Sequence, residues 1–137
     1  MVKDEHSALK ASFERALEFL NAGDHVMAEK ICRKAIKEIS NSDPNIQVLL
    51  AVSLIRQGRS GSAVKRLKHT LRAFPDFPPA HEELGNALLA QNKPENAIEA
   101  FKKVLQLKPD NAGAMIKLGK IYKQLGRNDE ANEFYKS

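Results

Sequence analysis

Apolar residues recur along this chain at steps of three and four, and the recurrence breaks at a small residue that returns with a fixed spacing. Gly23 is followed by Ala28, Gly58 by Ala63, Asn92 by Ala97 and Gly126 by Ala131, so the alanines are 35, 34 and 34 residues apart. Other columns keep the same register. Twelve residues before each Ala stands a small residue (Ala16, Ala51, Gly85, Gly119), and three further on a large apolar one (Phe19, Leu54, Leu88, Tyr122). Four residues after each Ala comes Cys32, Leu67, Phe101 or Tyr135, and Ala35, Thr70 and Val104 follow three later. A period of this length marks stacked supersecondary units and calls for a binding scaffold before any enzyme.

Each unit reads as two amphipathic helices with a short turn between them. The pattern predicts first helices over Ala8–Ala22, Asn45–Gln57, Pro79–Gln91 and Ala112–Leu125. Second helices are predicted over His25–Ile39, Gly61–Ala73 and Pro94–Leu107, and from Asp129 onward. Gly23, Gly58 and Gly126 end first helices, where a left-handed backbone suits a residue without Cβ, and Asn92 is the next most tolerant choice. Ala63 and Ala97 are spacers that let paired helices approach. Asp43 before Pro44 reads as a cap and first helical residue, and Pro78-Pro79 and Pro94 open helices where a missing N–H is harmless. Ser40-Asn41-Ser42-Asp43 supplies the loop that absorbs the longer first spacing.

Gly85-Asn86-Ala87-Leu88, then Lys93-Pro94-Glu95-Asn96-Ala97-Ile98-Glu99-Ala100-Phe101 and Pro109, closely resembles the tetratricopeptide repeat family. Gly23-Asp24-His25 leading to Ala28 and Ala35-Ile36 does the same, and the resemblance covers nearly the whole chain. It implies an all-α fold, a right-handed superhelix (solenoid) of stacked antiparallel helix pairs. The expected repeats are about 9–43, 44–77, 78–111 and 112–137 within one domain of 1–137, the last incomplete. It also implies a concave groove lined by the first helices. Transferred to this sequence, the lining is Phe13, Leu17 and Leu20, then Val48, Val52 and Ile55, then Glu82, Asn86 and Leu89, then Ile116, Lys120 and Lys123. Its first half is apolar and its second polar, ending basic. Phe13, Leu17, Val48, Val52 and Ile55 are expected to face solvent as an apolar patch, open to a partner, an N-terminal segment or a second copy of the chain. Family members that hold acidic chaperone tails use a Lys and Asn clamp. Here Glu82 and Lys117 depart from it, which argues against that ligand.

At 137 residues and 42% hydrophobic, the chain is one domain's worth. Its net charge is +5, and the stretch from Pro44 to Phe77 carries six basic residues (Arg56, Arg59, Lys65, Arg66, Lys68, Arg72) against Asp76 alone. Lys65, Arg66, Lys68, His69 and Arg72 are expected to face outward as a solvated convex surface, and without an aromatic platform nucleic acid is not the expected partner. The longest apolar run, Ile46 to Ile55, is about half of what a bilayer requires, and no apolar leader follows Met1, so a cytoplasmic protein without membrane attachment is expected.

No chemistry emerges from the remaining residues. Gly113 to Lys120 lacks the spacing of a phosphate loop, and Ile121 stands where Ser or Thr would bind magnesium. His6, His25, His69 and His81 are scattered, and Cys32 falls on an apolar stripe as a buried thiol. Glu82-Glu83 and the pair Glu95 and Glu99 read as charged helix surface. No catalytic residue, cofactor or metal is expected. Two functions fit: a non-catalytic scaffold that binds a peptide segment of a protein partner, with an acidic group near Lys120 and Lys123, or the N-terminal repeat region of a larger bacterial sulfotransferase or glycosyltransferase whose catalytic part lies beyond residue 137. The final copy has 26 residues where a full one has 34, which favours a chain cut from something longer and a C-terminal end available for self-association.

Overall fold

The computed structural model describes residues 2–40 and 42–135, with side chains from Glu5 to Phe134 apart from position 41. The described residues form eight helices and no strand: α1 (Val2–Asn21), α2 (His25–Glu38), α3 (Pro44–Arg56), α4 (Ser60–Ala73), α5 (Pro78–Ala90), α6 (Pro94–Leu107), α7 (Ala112–Gln124) and α8 (Asn128–Tyr135). They pair as α1·α2, α3·α4, α5·α6 and α7·α8, and the pairs stack in chain order. Most boundaries lie within a residue or two of those the pattern predicts. The exception is α1, which starts six residues before the expected Ala8, since Val2 to Ser7 contains no Gly or Pro to stop it. The column position at Tyr135 and the end beyond it fall outside the described side chains.

One backbone device makes all four turns. Gly23, Gly58 and Gly126 have φ of 88°, 78° and 76°, and Asn92 is the one described non-glycine residue with positive φ, at 60°. Each N–H bonds back three residues, as Gly23 N to Leu20 O (3.1 Å) and Asn92 N to Leu89 O (2.9 Å). The next residue's N–H reaches back five, from Asp24, Arg59, Lys93 and Arg127 to the carbonyls of Phe19, Leu54, Leu88 and Tyr122, at 2.8 to 2.9 Å. This is the Schellman closure of a helix. The same four residues then open the second helices, for their carbonyls accept the N–H groups of Ala28, Ala63, Ala97 and Ala131 at 3.1 to 3.2 Å. The Gly-to-Ala distance is therefore the turn residue plus one four-residue helical ring. Side-chain caps start several helices, with Asp24 accepting from Met27 N, Asp43 from Asn45 N and Asn111 from Ala114 N.

Ala28, Ala63, Ala97 and Ala131 are all buried. Gly85 is smaller still for a reason: a Cβ built on it would lie 2.6 Å from Phe101 Cε2 and Cζ. The aromatic ring of α6 occupies the space an alanine on α5 would need. In sequence the smaller glycine pairs with an aromatic (Gly85 with Phe101, Gly119 with Tyr135), and alanine with a slimmer group (Ala16 with Cys32, Ala51 with Leu67). Cys32 is buried, and burial pushes its thiol pKa up to about 12, which leaves it an inert core group.

Helices α3 and α5 also touch across repeats, as do α1 and α3, whereas no two second helices are closely packed on each other. Through the first three repeats, first helices thus form the tight inner side of the stack, and second helices splay. Charges tie the outer side. Glu29 of α2 accepts from Arg33 Nε (2.7 Å), from Gln57 Nε2 of the next turn (3.0 Å) and from Arg59 Nη1 (2.8 Å). Burial alone would raise the Glu29 carboxyl, but these three donors outweigh it and hold its pKa at about 2, below the ordinary 4.5.

Two predictions follow from this packing. Gly85→Ala should destabilise the fold by about 1 to 3 kcal/mol despite its better helix propensity, and the penalty should vanish in a Phe101→Leu background. Urea unfolding of the double-mutant cycle measures this. Because Glu29 is depressed in the fold, its contribution is present above the ordinary carboxylate value and is lost as pH falls. Glu29→Gln should cost about 1 kcal/mol near neutral pH, and the gap from wild type in thermal unfolding should close as pH drops from about 5 toward about 2.

Candidate functional site

The inner face is built from α1, α3, α5 and α7. Helix α3 decides how much of it is open, since it is apolar all round and packs against α1 and α5 as well as its own partner. Val48 is consequently 8% exposed and Leu20 3%, both inside the core cluster that includes Leu50 and Leu54. The expectation that Val48 faces solvent is thus corrected, and Leu20 likewise belongs to the core. Phe13, Val52 and Ile55 are half-buried at the edge of that cluster, and Leu17 is 37% exposed. A cavity of about 610 Å³ opens beside Phe13, between α1 and the start of α3, where Leu9, Asp43 and Pro44 also line it.

On α5, Glu82, Asn86 and Leu89 are half-buried, and on α7 Ile116, Lys120 and Lys123 are exposed. Ile116 is 49% exposed, so the second half of the face carries an apolar group as well as charge.

The centre of the face holds a residue that sequence reasoning passed over. Glu83, expected to be ordinary charged surface, is half-buried and accepts from Asn86 Nδ2 at 2.8 Å. Burial raises its pKa above the usual carboxylate range, and Glu82 adds to the rise; Asn86, Arg56 of α3 and Lys117 of α7 oppose it. Arg56 and Lys117 thus bring charge from the neighbouring first helices to bear on this α5 carboxylate. The adjacent acids Glu82-Glu83 were the available signal, but two carboxylates in a row do not reveal which one turns inward. The Glu83 bond also fixes Asn86: with its amide nitrogen held, Oδ1 is buried and finds no hydrogen-bond partner among the described residues. A buried acceptor left unpaired costs stability.

Family comparison accounts for the architecture. Two tetratricopeptide repeat models match the chain, over residues 48–112 and 88–137. The chain belongs to the tetratricopeptide repeat family. It is 32% identical over 104 residues to the Small glutamine-rich tetratricopeptide repeat-containing protein 2 of Saccharomyces cerevisiae, a match covering 69% of this chain and 29% of that one. It is also 32% identical over 101 residues to the human Protein O-mannosyl-transferase TMTC3, covering 72% of this chain and 11% of that one. The chain therefore spans less than a third of the length of either relative. Among solved structures, the first tetratricopeptide domain of human RPAP3 superposes with a TM-score of 0.83 at 22% identity, covering 91% of this chain and 97% of that one. The family comprises protein-interaction scaffolds, which is consistent with a protein-binding role. Among the described residues no group of three or more His, Cys, Asp or Glu could hold a metal, and no helix is long and apolar enough to cross a membrane.

The Glu83 environment sets a pH test. A carboxyl with a raised folded pKa favours the fold while protonated and loses that advantage as pH rises through the folded value. Glu83→Gln should therefore raise the melting temperature near neutral pH and leave it unchanged near pH 4, where the wild-type carboxyl keeps its proton. Differential scanning calorimetry at the two pH values checks this.

Proposed function

We propose that this chain is a non-catalytic scaffold whose inner first-helix face binds a segment of a partner protein. The observation that carries the proposal is the apolar part of that face left accessible, with Leu17 37% exposed and Phe13, Val52 and Ile55 half-buried beside it. Apolar side chains of the segment pack on Phe13, Leu17, Val52 and Ile55, and an acidic group meets Lys120 and Lys123. The family's role as an interaction scaffold supports the reading.

A second reading has its own observation. The relative named as an O-mannosyl-transferase is matched over only 11% of its length, which leaves room for this chain to be the repeat region of a larger group-transferring enzyme with its catalytic part beyond residue 137. Such a repeat region still presents the same face, and the extent of the natural reading frame separates the two.

A peptide array probed with the wild-type chain, followed by titration of the best binder, tests the first reading. Leu17→Glu and Val52→Glu should abolish binding, each placing a charge in the apolar part of the face. Lys120→Glu/Lys123→Glu should reverse any preference for acidic peptides. Unchanged affinity in the folded Leu17→Glu and Val52→Glu variants would refute the assignment of the face.

A further inference from the structure

The outer side of the stack carries a crevice where α2 and α4 splay apart over Leu54 of α3. It encloses about 450 Å³, and its walls present Arg33 from α2 and Ser62, Lys65, Arg66 and His69 from α4. His69 joins it to a second hollow of about 240 Å³ lined by Gln47, Thr70 and the 37%-exposed ring of Phe74.

Its charge pattern is the reverse of that at the ion-paired contacts between repeats, one of which, Arg59 with Glu29, belongs to this same first junction. Arg59 meets Glu29 at 2.8 Å across the first junction, and Arg127 meets Glu95 at 3.3 Å across the third. In the crevice, cations face cations. Arg33 has Glu29 as a partner, but no carboxylate among the described residues pairs with Lys65, Arg66 or His69. Arg66 is half-buried rather than fully solvated, and its Nη1 donates to the neutral Gln47 Oε1 at 2.9 Å. That bond orients the guanidinium without neutralising it. Burial first, and then Arg33, lower the Arg66 pKa, the signature of a cation lacking a counter-charge. Uncompensated like charges held together oppose folding, and an anion from outside relieves them.

We propose that the crevice between α2 and α4 is a second binding site, for a carboxylate-rich segment of a protein, with carboxylates on Arg33, Lys65, Arg66 and His69 and an apolar side chain against Phe74. A protein segment fits better than a nucleic acid strand. Successive bases need successive aromatic platforms, and this crevice offers a single ring at one end. The site lies on the opposite side of the stack from the Asn86 face and stands whether or not that face binds a peptide.

Fluorescence anisotropy on the full chain tests it, with a fluorescein-labelled peptide of repeated Glu-Gly units ending in Leu as the probe. Saturable binding is expected, with none by the Gln-Gly counterpart. Lys65→Glu/His69→Glu, and the milder Lys65→Gln/His69→Gln, should weaken it about tenfold or more at unchanged melting temperature, since both positions are exposed. Lys120→Glu/Lys123→Glu, which removes more charge from the inner face, should leave the affinity unchanged. No saturable binding, equal loss in the Lys120/Lys123 variant, or tighter binding of a labelled oligouridylate than of the Glu-Gly peptide would overturn the proposal.

Discussion

The fold depends on one residue per repeat that must take a left-handed backbone. At Gly23, Gly58, Asn92 and Gly126 the chain reverses within a single residue, and the next residue uses its N–H to end one helix and its carbonyl to begin the other. That double use allows no slack. It places an alanine five residues on from the turn, where the two helices of the pair meet, so a larger side chain there would push them apart. Asn92 shows that the requirement is on conformation and not on glycine itself, since a short polar side chain tolerates the same φ.

Stacking the pairs then creates two unlike surfaces. First helices touch across the first two junctions, whereas among the described residues no two second helices pack closely, so the inner side there is compact and the outer side opens into crevices. The compaction explains why Leu20 and Val48 belong to the core while Val52 and Ile55, on the same helical side of α3 as Val48, remain partly accessible. It also draws Arg56, Glu83 and Lys117 from three helices into one electrostatic neighbourhood, with Asn86 fixed beside them.

Charge is used differently at different places on the outer side. Glu29 gathers Arg33, Gln57 and Arg59, and Arg127 lies over the Tyr122 ring at 4.7 Å while bonding Glu130 and Glu95. Exposed pairs of this kind contribute modestly, but a shared acceptor such as Glu29 holds adjacent repeats in register. The α2 and α4 crevice departs from that pattern. Apart from Arg33, which Glu29 pairs, its cations meet no carboxylate among the described residues.

The helix pairs, their turns, the alanine spacers and the family were legible along the chain, because each rests on a local backbone rule or on a period that survives substitution. Asn92 in the glycine column and Asp43 before Pro44 were legible for that reason. The start of α1 was not, since the repeat says nothing about residues that precede it. Nor were the burial of Val48, the inward turn of Glu83, the unpaired Asn86 oxygen or the facing cations of Arg33 and Arg66. Each of these depends on how far neighbouring pairs close on one another, and only the tertiary structure decided that, through contacts between residues about a repeat apart.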